Sequence, residues 1–140
     1  DRDRAARLRE KGVSAFVDEW ERLPLFATQK SLSEVTAASQ RRIRLGQEAE
    51  GLARSLEMLG LGSMPQYPID VWGEKLTITL MAGALDPKFV DLALRASDSA
   101  HGIETVIVEG AGHNLLIESP GEVAQEMRRV EARAGKRQGR

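Results

Sequence analysis

At 140 residues and 15.4 kDa the chain is the size of one ordinary domain. It is 41% hydrophobic and 29% charged, near the globular average, which excludes intrinsic disorder, collagen and coiled coil. Twenty Lys and Arg balance 21 Asp and Glu, so no global field draws the chain toward nucleic acid or a membrane surface.

The first half carries helical signals only. Ala5 and Leu8, then Val13, Phe16, Val17 and Trp20, recur at spacings of three and four on either side of Gly12. That pattern predicts two short amphipathic helices with a break at the glycine, the second ended by Leu23-Pro24. Ser31 with Glu34 offers a capping box before a helix running to about Leu45. A further helix over about Ala49 to Leu59 is expected to bury Leu52, Leu56 and Leu59, with Gly60 and Gly62 closing it as glycine does past a helix C-terminus.

The period then changes. Met64 to Trp72, with Pro65 and Pro68, reads as a loop, and Leu76 to Ala82 is a β-rich run ended by Gly83. Lys88 to Ser97 is helical in pattern, Glu104 to Glu109 is a second strand, and Gly110-Ala111-Gly112 is a turn. The continuous apolar run Val106-Ile107-Val108 suits a strand buried on both faces. Ser119-Pro120-Gly121-Glu122 is a helix start, and the last helix runs to about Ala134. The domain organisation expected is a helical cap over 1–62, α/β core over 63–134 and a basic flexible tail over 135–140.

Two parallel strands joined by a helical crossover leave unpaired outer edges, so the sheet is expected to be completed by something outside this chain. The chain also opens at Asp1 without Met, inside a charged helical pattern, which suggests a piece of a larger unit. No apolar run is long enough to span a bilayer, and the charged start is unlike a signal peptide. With no cysteine and two histidines, a disulfide framework is excluded and no metal site is expected. The compartment expected is the cytoplasm.

Asp86 follows the first strand by a few residues and His113 follows the second. In a parallel sheet both fall at carboxyl ends of adjacent strands, where α/β folds assemble their sites. A carboxylate there fixes the imidazole tautomer and steadies its cation, which makes Asp86 and His113 a candidate acid–base pair. The plainer alternative is Asp86 as a turn former before Pro87 and His113 as an ordinary helix-start residue. A nucleophile is not found: none of the nine serines lies in a G-x-S-x-G elbow, and no phosphate-cradling glycine loop is present. Arg41, Arg42 and Arg44 cluster at the end of a helix, where cations suit the macrodipole as a solvated terminus. Arg44, between Ile43 and Leu45, is the one placed to turn inward and grip a carboxylate in bidentate fashion. Trp20 and Phe26 flank Leu23-Pro24, either walling an apolar cavity or simply cementing helix to helix.

The order of cap helices, strand, Asp loop, helix, strand, Gly-x-Gly-His and closing helix resembles the C-terminal half of an α/β-hydrolase. Asp86 then His113 fits the family order of serine, acid, histidine, with the serine part absent. Within that superfamily, several stretches resemble the 2-succinyl-6-hydroxy-2,4-cyclohexadiene-1-carboxylate synthases of menaquinone biosynthesis. They are Phe16 to Ala27, Gly51 to Leu56 with Gly60 and Gly62, Asp86-Pro87-Lys88-Phe89, and Gly110 to Asn114. The resemblance implies elimination of pyruvate from a succinyl-enolpyruvyl-hydroxycyclohexene carboxylate, a small polycarboxylate substrate, without metal or organic cofactor. It implies Asp86 as triad acid, His113 as triad histidine, Arg44 as a carboxylate-binding cap arginine, and Trp20 and Phe26 as cavity walls. The nucleophile serine would come from an N-terminal half as partner.

Two other readings stand beside this one. Another α/β-hydrolase, a carbon–carbon bond hydrolase or esterase, would use the same triad with water. A non-catalytic interaction module would pair its strands with a partner. The basic residues Lys136, Arg137 and Arg140 do not support nucleic-acid binding, since a short terminal basic run without interleaved aromatics is usually solvated.

Overall fold

The computed structural model describes residues 1–65, 76 and 78–138, with side chains through residue 134. The helices and strands are α1 (Arg2–Glu21), a 3-10 segment (Pro24–Ser31), α2 (Glu34–Leu45), α3 (Ala49–Leu59), β1 (Ile78–Gly83), α4 (Pro87–Ser99), β2 (Ile103–Val108), α5 (Leu115–Glu118) and α6 (Pro120–Gln138). Two compact units result, one of Asp1–Ala27 with Ser31–Tyr67, the other of Thr28–Lys30 with Pro68–Arg140. Thr28 packs within the second unit, where a Cβ on Gly112 would meet its Oγ1 at 2.2 Å. The loop expected over Met64 to Trp72 lies outside the described residues from 66 onward.

In the first unit the break at Gly12 is present: φ 77° and ψ 173° interrupt α1, a conformation that costs other residues steric strain. Ala5, Leu8 and Ala53 form the fully buried centre, with Val13, Phe16, Ala49, Leu52 and Leu56 packed around it. The alanines on α1 and α3 keep the two backbones close, and Leu8 fills the space between them. Leu59, at the last turn of α3, is 63% exposed, contrary to expectation. Gly60 ends α3 in extended backbone, φ −62° and ψ 145°, instead of the left-handed cap the sequence suggests. The cap of α2 also differs: Ser33, not Ser31, is the N-cap, accepting from the Thr36 amide at 3.2 Å. Ser31 is held in the 3-10 segment after Pro24, a turn that periodicity alone does not predict.

Arg9 on α1 reaches both acids of α3. Its Nε donates to Glu50 Oε2 at 2.7 Å and its Nη1 to Glu57 Oε1 at 2.6 Å. Those hydrogen bonds from Arg9 hold both carboxyls below their ordinary range. A carboxyl depressed in the folded state contributes stability above the unfolded pKa and loses it as pH falls through the folded value. We therefore expect the thermal midpoint to drop on acidification below about pH 4.5, the ordinary carboxyl value, and expect Arg9→Gln to flatten part of that acid limb. Melting curves across pH 2 to 7 for both proteins check this, and an unchanged limb contradicts it.

In the second unit β1 and β2 pair in parallel, from Ile78 against Ile103 to Gly83 against Val108. Helix α4 connects them and packs on both, with Thr105 Oγ1 donating to the Ala93 carbonyl at 3.0 Å. The strands are half-buried in their middles, and burial is complete only at Ala82, Gly83, Ile103 and Val108. Full burial on both faces was the expectation, and a two-stranded sheet is too narrow to cover itself. Helix α6 continues to Gln138, past the end expected at Ala134. Arg133 and Arg129 on α6 both pair with Glu104 of β2, fixing the helix's later turns to the sheet. Among the described residues no helix is long and apolar enough to cross a membrane.

The ends of the strands meet closely. A Cβ on Gly83 would lie 2.2 Å from the Gly112 carbonyl oxygen and 2.3 Å from that of Ala111, both backbone atoms unable to swing aside. The Leu85 amide also donates to the Ala111 carbonyl at 2.9 Å. Gly83→Ala is therefore expected to cost about 1–3 kcal/mol, the usual range for overpacking. Urea unfolding with an unchanged midpoint contradicts this.

Candidate active site

Asp86 closes the turn after β1. Its backbone amide donates to the Gly83 carbonyl at 2.9 Å, and its side chain caps α4 by accepting from the Phe89 amide at 3.3 Å. Pro87 stands at the first helical position, as the rules of helix starts favour. The carboxylate is therefore doubly engaged: Oδ1 takes the cap, and Oδ2 lies 2.7 Å from His113 Nδ1. The side chain of Asp86 is 5% exposed and that of His113 is 27% exposed. A buried carboxylate without a donor is costly, and His113 is what satisfies its second oxygen. An ionised carboxylate only accepts, so this contact suits the tautomer with the proton on Nδ1 and a lone pair on Nε2. The plain turn-former role and the contact with His113 coexist in Asp86.

His113 is further fixed by Phe89, whose ring meets the imidazole edge-on at a centroid distance of 4.8 Å. The loop that carries it is bound on both sides: Glu118 Oε2 accepts from the Gly112 amide at 2.7 Å, and Glu118 Oε1 from the Asn114 amide at 3.1 Å. Sequence reading singled out neither Phe89's ring contact nor Glu118. The usable signal was the i,i+4 spacing of Asn114 and Glu118 at a helix start, a reach-back related to the capping box.

The other candidate residues lie in the helical unit. Arg44 Nη1 donates to Glu21 Oε1 at 2.9 Å, Arg41 Nη1 to Glu21 Oε2 at 2.6 Å, and Arg41 Nη2 to Asp18 Oδ1 at 2.6 Å. The arginines at the end of α2 are thus more than a solvated terminus: α1 supplies carboxylates for two of them. Arg44 faces inward, its side chain 22% exposed, and lines a cavity of about 250 Å³ with Phe16, Val17, Trp20, Leu52 and Leu56. Trp20 stacks on Phe16 at 5.8 Å and meets Phe26 at 5.2 Å. Phe26 is buried against Trp20 and does not itself line this cavity. The Arg44 guanidinium thus stands on a largely apolar wall with Glu21 as its carboxylate partner.

These features define an α/β chain with an acid–histidine pair at the carboxyl ends of two adjacent parallel strands, and it carries part of the α/β-hydrolase fold. The solved structure of MenH from S. aureus superposes with a TM-score of 0.83 at 28% identity, covering 90% of this chain and 47% of that one. More particularly, the chain resembles a Bacillus subtilis (strain 168) protein named as a 2-succinyl-6-hydroxy-2,4-cyclohexadiene-1-carboxylate synthase. The two are 34% identical over 109 residues, which is 78% of this chain. The chain spans 40% of that relative's length. No protein-family model matches the chain.

Proposed function

We propose that this chain is the cap and C-terminal core of an α/β-hydrolase-fold lyase of menaquinone biosynthesis, acting in the cytoplasm. The reaction removes pyruvate from a succinyl-enolpyruvyl-hydroxycyclohexene carboxylate. The observation that carries this reading is the 2.7 Å contact between the buried Asp86 carboxylate and His113 Nδ1, in a chain similar to a named synthase.

In this reading, residues 1–62 form the cap and 63–134 the core portion, while an N-terminal half supplies the serine. Asp86 keeps the proton on Nδ1 and steadies the imidazolium, His113 Nε2 takes the serine proton, and the serine oxygen then removes a proton from the substrate ring. The carbon–oxygen bond to the enolpyruvyl group breaks with its electron pair going to oxygen, and the enolate that leaves takes up the proton held by His113 to become pyruvate. No metal or organic cofactor is required, because the electrons that form the new double bond come from the broken carbon–hydrogen bond. Arg44 holds a substrate carboxylate by charge-assisted hydrogen bonding, and Trp20 with Phe26 supports the apolar wall against the ring.

The test is to supply the complete enzyme with the enolpyruvyl substrate and, separately, with a p-nitrophenyl ester. Pyruvate release coupled to lactate dehydrogenase, with little nitrophenol from the ester, is the outcome expected. Rapid ester hydrolysis without pyruvate release makes the protein a hydrolase that uses water. Neither product makes it a non-catalytic module.

A further inference from the structure

The geometry around His113 points to Glu118 as the positioning residue of the histidine, and we infer that its carboxylate sets where the imidazole stands relative to Asp86. The inference rests on the reading of His113 as the general base and adds a residue to it.

A histidine in a loop has two ways to lose alignment: its ring turns about the side-chain bonds, or its backbone drifts. Asp86 at Nδ1 and Phe89 at the ring edge restrict the first. Glu118 restricts the second. Its two oxygens take the amides of the residues on either side of His113, Gly112 at 2.7 Å and Asn114 at 3.1 Å, so one planar group ties down the Ala111–Gly112 and His113–Asn114 peptides that bracket the histidine. Hydrogen bonds to an ionised acceptor are about twice as strong as neutral ones, and two from one carboxylate also fix direction.

The surroundings show that this grip is tight. A Cβ on Gly112 would come within 2.9 Å of Glu118 Oε2 and 2.2 Å of Thr28 Oγ1, so the carboxylate and its neighbours close tightly on this residue. A Cβ on Gly83 would lie 2.3 Å from the Ala111 carbonyl oxygen, so the strand end leading to Asp86 abuts the very peptide whose amide Glu118 takes. Displacement of the Gly112 peptide therefore moves the histidine while the acid stays with β1. Glu118 is the last residue of α5, and the Ser119 amide at its end donates to the Leu115 carbonyl, so the carboxylate is presented by a closed turn and not by a loose loop.

The test uses Glu118→Gln, which keeps size and one acceptor oxygen but removes the charge and one acceptor, with Glu118→Ala as the fuller deletion. Two readouts are taken on the protein itself: exchange of the Gly112 and Asn114 amides, and the Nδ1 proton resonance of His113. The second is assignable because the chain has only two histidines. In Glu118→Gln we expect at least one of the two amides to exchange about tenfold faster and the Nδ1 proton signal to broaden or vanish, while other amides keep their shifts. In the complete enzyme the same change is expected to lower kcat about tenfold with KM little altered, the mark of lost alignment and not of lost substrate binding. Should Glu118→Ala unfold, Glu118→Gln decides. Unchanged exchange overturns the inference, as does faster exchange with an intact Nδ1 proton signal and normal kcat, which would leave Glu118 a loop clasp only. Failure of the lyase reading shows up separately, as absence of pyruvate release by the parent enzyme while the His113 signals still respond to residue 118.

Discussion

Asp86→Asn is expected to lower turnover of the complete enzyme by about 10⁴-fold, with the fold retained, the loss typical when the acid of such a triad becomes an amide. The size follows from what the amide does at this position. Asp86 Oδ2 accepts from His113 Nδ1 at 2.7 Å. An asparagine nitrogen placed there donates instead, so the imidazole must present a lone pair at Nδ1 and carry its proton on Nε2. The ring then offers a donor where a base is needed, and no carboxylate remains to steady the imidazolium. The change is nearly isosteric, and the Phe89 amide can still be capped by the amide oxygen, so α4 keeps its start. His113→Ala is expected to reduce turnover at least as far, since it removes the base outright, and here the buried carboxylate loses its donor as well. Steady-state pyruvate release checks both, with circular dichroism to show that helix content is kept. Rates near those of the parent in both variants contradict the assignment.

The largest stability effect is expected at Leu8. Among the described residues it is the one large side chain that is completely buried, and Ala5 and Ala53 beside it are too small to move into the space it would leave. Leu8→Ala removes its transfer free energy and opens a cavity between α1 and α3, so a loss of about 2–5 kcal/mol is expected. The upper part of that range applies where neighbours cannot collapse. Val13, Phe16, Leu52 and Leu56 are only partly buried and already engaged at the rim of the cluster, which argues against easy collapse. The same cluster shares Phe16, Leu52 and Leu56 with the wall of the Arg44 cavity. Loosening it is expected to disturb that cavity along with stability. Equilibrium urea unfolding gives the number directly. A loss under about 1 kcal/mol, the size of a surface substitution, would show that α1 and α3 do not depend on this contact.

Much of this architecture can be read along the chain, for reasons tied to particular residues. Gly12 between two apolar stripes marks a real break in α1, because only a residue without a side chain holds φ near +77° at little cost. Asp86 and His113 stand out because the apolar runs before them can only be strands, and parallel strands bring their following loops to one edge. What escapes is whatever depends on packing between elements distant in sequence. The partnership of Arg44 and Arg41 with Glu21 and Asp18 exists only because α2 lies against α1, across about twenty residues. Periodicity sees a basic helix end and stops there. The choice of Ser33 over Ser31 as cap turns on the 3-10 segment after Pro24, whose tight turns leave no apolar rhythm. Glu118 escapes for a different reason. Its partners are backbone amides, which every residue owns, so only its spacing of four from Asn114 hints at the contact.

The arrangement of Asp86 and His113 is the claim on which the rest depends, and nitrogen-resolved NMR of the two imidazoles tests it most directly. With only His101 and His113 present, a His101→Gln variant assigns the signals. At neutral pH the account predicts that neutral His113 carries its proton on Nδ1, shifted downfield by the Asp86 carboxylate, and that Asp86→Asn abolishes this signal. A neutral His113 protonated on Nε2, or a signal indifferent to Asp86→Asn, would contradict it.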